Sequence, residues 1–228
     1  MSSTSSLMCV DDKSPKPLHQ SIGRTVLPED IGVLSGLFGA MGKSSDPMDA
    51  ARKILERAGS LAAAFSLHPT RLKFYGASQD QINVLQLVAN AMTLTLRRSS
   101  EDRPIMQNTE AVLDYLHADM AHRPTEVLRV LFLGPHLHLV HDEIIATGTV
   151  DGVTCNTREI VLKAVEVGAT AIIISHNHPS GVPTPSPEDV RFTRYIADGC
   201  KTVGVLVLDH IVISRTGHCS LRAEGLMN

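Results

Sequence analysis

Two histidines one residue apart, His176 and His178, follow a short apolar run, Ala171-Ile-Ile-Ile-Ser175. In extended backbone, residues i and i+2 point to the same side. The two imidazoles can therefore converge just past the C-terminal end of a predicted strand, where α/β sheets place their ligands. A proline-rich loop through Gly181 leads to Ser186-Pro-Glu-Asp189, the start of a predicted helix. Taken singly, each feature has a structural explanation. Ser186 suits an N-cap, Pro187 suits the first helical position, and Asp189 completes a capping box. Taken together, two imidazoles and a carboxylate supply the N, N, O donor set of a catalytic zinc, which keeps a fourth position for water. Capping and ligation are compatible, because a carboxylate has two oxygens and a serine hydroxyl both accepts and donates. One zinc per chain on His176, His178 and Asp189 is the expectation.

Hydrolysis at such a site also needs a group that moves a proton. An acid that is not a ligand should face the metal from a neighbouring strand. Glu143, at the head of Glu143-Ile-Ile-Ala-Thr-Gly-Thr-Val150, is a charge at the entrance to an apolar strand and is the candidate base. A solvated strand end is the plainer explanation of the same residue. Asp142 is its competitor, on the opposite side of the strand. His136, His138 and His141 share a two- and three-residue spacing but lack an accompanying carboxylate and stiff loop, and read as exposed strand histidines. His210 reads as a hydrogen-bonding residue rather than a third imidazole ligand. Nothing requires Cys155 near the metal.

The spacing His176-x-His178, seven residues, Ser186, two residues, Asp189, with a glutamate upstream, resembles the JAMM motif of the JAB/MPN metalloproteases. The text around it (His176-Asn-His-Pro-Ser-Gly181, Pro183-Thr-Pro-Ser-Pro-Glu-Asp189, Leu208-Asp-His-Ile211 and Ser220-Leu-Arg-Ala-Glu-Gly225) is similar to the RadC branch of that family. The resemblance spans about Asn108 to Gly225. It implies a three-layer α-β-α domain like that of cytidine deaminases, within an α/β fold class, preceded by a small helical domain. It also implies that His176, His178 and Asp189 bind zinc, that Glu143 is the general base and that Ser186 supports the tetrahedral intermediate. The implied reaction is cleavage of a peptide or isopeptide bond in a peptide or protein substrate. The rival reading is a DNA-associated repair or recombination accessory protein whose JAB-like domain binds zinc as an interaction module.

The elements that must position these residues divide along the chain. Residues 1–28 are rich in Ser, Lys, Asp and Pro without an apolar period and read as a flexible arm. Residues 29–98 are helical, with Asp46 as an N-cap and Gly59 closing a helix from Pro47 to Ala58. Gln79 to Arg98 carries Ile82, Leu85, Val88, Ala89 and Met92 on one stripe. Residues 99–107 read as a linker and 108–228 as the metallohydrolase domain. That domain is predicted to hold strands at 127–133, 136–140, 143–150, 170–175, 203–208 and 210–214, interleaved with helices. The alternation argues for a mixed sheet covered on both faces.

RadC-type helical domains end in a helix-hairpin-helix whose Gly-x-Gly turn offers backbone N–H groups to a phosphate. Here the turn reads Tyr75-Gly76-Ala77-Ser78, and a side chain at Ser78 obstructs close approach. Asn156 also stands where the family places a proline before Arg158-Glu159; the pair is a helix-start feature, although Arg158 could bind a substrate carboxylate. The net charge of −3 excludes a uniformly basic nucleic-acid binder. Residues 1–100 nevertheless carry 11 Lys/Arg against 8 Asp/Glu, and residues 101–228 carry 10 against 16. Weak DNA binding is the most this implies. Cys9, Cys155, Cys200 and Cys219 form no C-x-x-C pair and read as free thiols. With no secretory leader and no apolar run approaching ~20 residues, a cytoplasmic location without membrane contact is expected.

Overall fold

The computed structural model describes residues 26–42, 46–101, 104–105, 108–148 and 156–227. Most of the N-terminal arm, Cys9 and Cys155 lie outside the described residues.

The N-terminal helices α1 (Pro28–Ala40), α2 (Pro47–Ala58), α3 (Leu61–Ser66) and α4 (Pro69–Phe74) lead into α5 (Gln79–Glu101). Asp46 caps α2 by accepting from Asp49 N at 2.9 Å, and Gly59 ends it at a φ of 87°, where a side chain would be strained. Leu34, Phe38, Ile54, Leu55, Leu72, Ile82 and Leu85 form one core. The helix α5 outlasts this core. Met92, placed on its apolar stripe, is half-exposed, whereas Leu96 packs on the second part of the chain. The helix also continues to Glu101, into the residues expected to form the linker.

The second part is built on a five-stranded sheet of order β2-β1-β3-β4-β5. Its strands are β1 (Val127–Leu133), β2 (Leu139–Thr147), β3 (Ala171–Asn177), β4 (Leu206–Ser214) and β5 (Gly217–Ser220). β3 and β4 are parallel and the other pairs antiparallel. One face is covered by α6 (Thr109–Met120) through Val112, Tyr115, Leu116 and Met120. The other is covered by α7 (Thr157–Glu166) and α8 (Pro187–Lys201) through Ile160, Ala164, Ile196 and Cys200. This is the three-layer α-β-α arrangement that the family resemblance implies, and the mixed sheet covered on both faces that the alternation of elements predicts. β1 and β3 are buried at every position because both faces are covered.

Three strand readings change. The strands predicted at 136–140 and 143–150 are one strand, β2. Residues 136–138 are a turn rather than a strand: Gly134 N–H bonds to His138 O at 3.0 Å and Leu137 takes a φ of 58°. The two short strands predicted over 203–214 are one continuous strand, and β5 pairs with it. Among the described residues, no helix is long and apolar enough to cross a membrane.

Beneath α6 the sheet buries a charged network. Arg129 of β1 donates to Asp142 at 2.7 Å, to Asp119 at 2.8 Å and to the Tyr115 hydroxyl at 2.7 Å. The Tyr115 hydroxyl in turn bonds to Asp142, and Arg97 of α5 reaches the same carboxylate at 3.3 Å. Burial pushes the Tyr115 phenol well above its ordinary range, so it remains a donor. Removing Arg129 leaves Asp142 with Arg97 at 3.3 Å and Asp119 with Arg123 at 3.0 Å, both more exposed than the guanidinium lost. Arg129→Ala is therefore expected to cost about 1–3 kcal/mol in urea unfolding, through lost buried hydrogen bonds. Lys53→Ala, which breaks only an exposed helix pair with Asp49, is the control and should leave the midpoint unchanged.

Candidate metal centre

β3 alternates its side chains between the two helical layers. Ile172 and Ile174 face α7 and α8, and His176 continues that face past the apolar residues. His178 lies one step beyond the strand. Its backbone N–H donates to Ile213 O at 2.8 Å, and its ring Nδ1 lies 2.9 Å from Val182 O. A carbonyl only accepts, so that nitrogen carries the hydrogen, and in the neutral ring Nε2 keeps its lone pair towards the site. The loop is held from below by the hairpin between β4 and β5. Thr216 donates to Gly181 O at 2.7 Å, and Arg215 reaches Pro179 O at 3.3 Å.

The capping box brings the carboxylate. Asp189 N donates to Ser186 Oγ at 3.1 Å, while Asp189 Oδ2 accepts from Ser186 N at 2.6 Å and from Ser186 Oγ at 2.7 Å. The other carboxylate oxygen lies 3.2 Å from His176 Nε2, and Oδ2 lies 3.6 Å from His178 Nε2. The two Nε2 atoms are 3.0 Å apart. Burial alone would raise the Asp189 carboxyl, but the contacts with the His176 and His178 imidazoles hold it far below the usual carboxylate range. The same carboxylate raises His178 above its ordinary value. His176, His178 and Asp189 are thus brought together as the sequence spacing led us to expect, with Ser186 beside them.

Glu143 is not brought to this cluster. It pairs with Val130 in β1, and Val130 pairs with Ile174 in β3, so Glu143 stands a full side-chain repeat short of His176. It also occupies the edge strand, 42% exposed, where it meets His141 at 3.2 Å and Lys163 at 3.6 Å. Asp142 is spent in the Arg129 network on the opposite face. The acid that the fold delivers is Glu126, whose Oε1 lies 3.7 Å from His176 Nε2. Glu126, His176, His178 and Asp189 each offer a ligand atom, all within 4.8 Å of one another.

The β1–β3 register explains this. Leu128 faces His176, so the antiparallel pairing carried two residues further sets Glu126 opposite His178. Asn177, the residue between the histidines, locks that extension. Its buried amide accepts from Val127 N at 2.8 Å and donates to Thr125 O at 3.1 Å, gripping the backbone on both sides of Glu126. The criterion that selected Glu143, an acid at the entrance of an apolar strand, applies with more force to Glu126, because every residue of β1 is buried. His136 and His138 are exposed in the turn and His141 lies at the edge, all remote from the cluster, and Arg158 is exposed.

The donor set fits a small divalent cation. Two imidazole nitrogens at ~2.0–2.1 Å from one tetrahedral zinc are about 3.3 Å apart. The observed spacings of 3.0, 3.2 and 3.6 Å among His176, His178 and Asp189 bracket that value.

Residues 106–226 match the family model described as the RadC-like JAB domain. The chain is also 40% identical over 192 residues to a UPF0758 protein of Rhodobacter capsulatus, covering 84% of this chain and 89% of that one.

The Asn177 contacts yield a test of the assembled site. Asn177→Ala leaves the Val127 amide without its acceptor and is expected to lower stability by about 1–3 kcal/mol. Exchange of the Val127 amide hydrogen should accelerate relative to its β1 neighbours. Exchange as slow as in the wild type would show that the side chain does not hold the Glu126 segment.

Proposed function

The chain belongs to the RadC-like JAB-domain family, and from that premise we propose that it is a zinc metallohydrolase of the JAMM type, cleaving a peptide or isopeptide bond. The observation that carries this reading is the convergence of Glu126, His176, His178 and Asp189 within 4.8 Å. His176, His178 and Asp189 would hold the zinc, which when bound would supply a Lewis acid able to lower the pKa of water towards ~7 and to polarise a carbonyl.

The chain's own residues then divide the remaining work. Glu126, not needed as a ligand and one-fifth exposed, takes the proton of the attacking water and returns it to the departing amine. This reassigns the base from Glu143 to Glu126. The Ser186 hydroxyl donates to Asp189. Turned towards the substrate carbonyl, it stabilises the developing oxyanion, while the Ser186 backbone N–H continues to hold Asp189.

The hairpin between α4 and α5 argues against DNA binding as the main activity. Gly76 has the expected positive φ of 95°. However, Ser78 N donates to Gln81 Oε1 at 2.8 Å and Gln81 N donates to Ser78 Oγ at 3.3 Å. These two amides are satisfied by a capping box rather than offered to a phosphate.

Three outcomes follow. Metal analysis should find about one zinc per chain, lost in His176→Ala, His178→Ala and Asp189→Ala; full occupancy in all three would show that the ligands lie elsewhere. On a cleavable peptide or isopeptide, Glu126→Gln should retain zinc and lose roughly 10²-fold or more in rate. Glu143→Gln should behave as wild type, and the reverse pattern would return the proton-transfer role to Glu143. Duplex DNA should bind no better than about 10⁻⁴–10⁻⁶ M at physiological salt. Nanomolar binding that depends on residues 1–100 would favour the accessory-protein reading instead.

A further inference from the structure

Behind His176 lies a second buried imidazole, that of His210 on β4. Ile174 pairs with His210 and His176 with Val212, so the parallel register sets His210 beside the metal-facing side of β3. His210 is fully buried. Its Nε2 is 2.7 Å from His176 Nδ1, and its Nδ1 is 2.5 Å from Thr193 Oγ1 on α8. Thr193 Oγ1 also lies 2.6 Å from the backbone oxygen of Asp189.

With both imidazoles neutral, as metal ligation requires, these contacts fix the direction of each hydrogen. The Asp189 carbonyl can only accept, so the Thr193 hydroxyl spends its single hydrogen there. Towards His210 the hydroxyl oxygen is then an acceptor, and His210 Nδ1 must be the donor. A neutral imidazole that donates from Nδ1 accepts at Nε2. His176 Nδ1 must therefore donate to it, which leaves His176 Nε2 with a bare lone pair aimed at the site.

We propose that His210 and Thr193 are positioning residues that set the tautomer and ring angle of His176 for metal binding. The chain of bonds starts and ends on ligands, running from the Asp189 carbonyl through Thr193 and His210 to His176. His178 reaches the same tautomer separately, through Val182. Two bare nitrogens then face each other at 3.0 Å, an arrangement that favours a shared cation between them. This inference rests on the metal-site reading above. It goes beyond that reading by giving two residues that touch neither metal nor substrate a measurable share of zinc affinity.

The test is zinc affinity of the full-length chain, measured by competition with a chromophoric chelator, with folding followed by circular dichroism. His210→Leu keeps the volume and removes the acceptor; it is expected to weaken zinc 10–100-fold while keeping one site per chain. His210→Gln, whose amide oxygen can accept from His176, should recover part of that loss. Thr193→Val releases the tautomer and should weaken zinc in the same direction, and it carries the test if His210→Leu does not fold. Wild-type affinity in His210→Leu would reduce His210 to packing, and wild-type affinity in Thr193→Val would overturn the proton order; either result sinks the relay alone. A wild-type protein that binds no zinc, like its His176→Ala control, would instead sink the metal reading and the relay with it.

Discussion

The antiparallel register between β1 and β3, with Leu128 opposite His176, is the constraint on which the site depends. It sets Glu126 opposite His178 where the two strands leave the sheet. It also puts the Asn177 amide within reach of the backbone around Glu126. The parallel register of β3 with β4 does the same for His210. A slip of one residue in either pairing would send the functional side chains to the wrong face. The Leu128–Leu133 and Ala171–Ile174 segments, buried throughout, make such a slip costly.

The sheet carries a polar cluster on each face, and the two are balanced differently. Beneath α6, Asp119 and Asp142 meet Arg129, and Arg97 reaches Asp142 as well, so the charges are compensated within the chain. Beneath α8, the ion pairs of Glu126 and Asp189 among the described residues are with histidines. Two carboxylates and two imidazoles without a guanidinium or ammonium leave negative charge for a divalent cation to match. The first cluster ties α5 to the sheet through Arg97; the second is arranged around a ligand.

The readable part of the site in the sequence was the part built by local geometry. The i, i+2 histidines and the Ser186–Asp189 capping box depend only on strand alternation and the first turn of a helix, and both are present in the fold. Asp46 and Gly59 were legible for the same reason, and the alternation of strands with helices pointed to a mixed sheet covered on both faces. Glu126 met the same local criterion as Glu143 but was not singled out, because alternation assigns a residue to a face and does not say which strand lies beside it. Glu143 met the local criterion and sits on the correct face, yet on the edge strand and one repeat away. His210 was legible as a hydrogen-bonding residue, but its partners on β3 and α8 emerge only from the register. The 136–138 turn was missed because Leu137 adopts a left-handed conformation that its residue type disfavours.

The central claim is that one cation is held where β1, β3 and the start of α8 converge. Anomalous diffraction at the zinc edge from crystals grown with zinc tests it most directly. The account predicts a single strong peak bonded to His176 Nε2, His178 Nε2 and an Asp189 oxygen, with the Glu126 carboxylate facing the remaining position. A peak coordinated by other residues, or a Glu126 side chain turned away from it, would contradict the account.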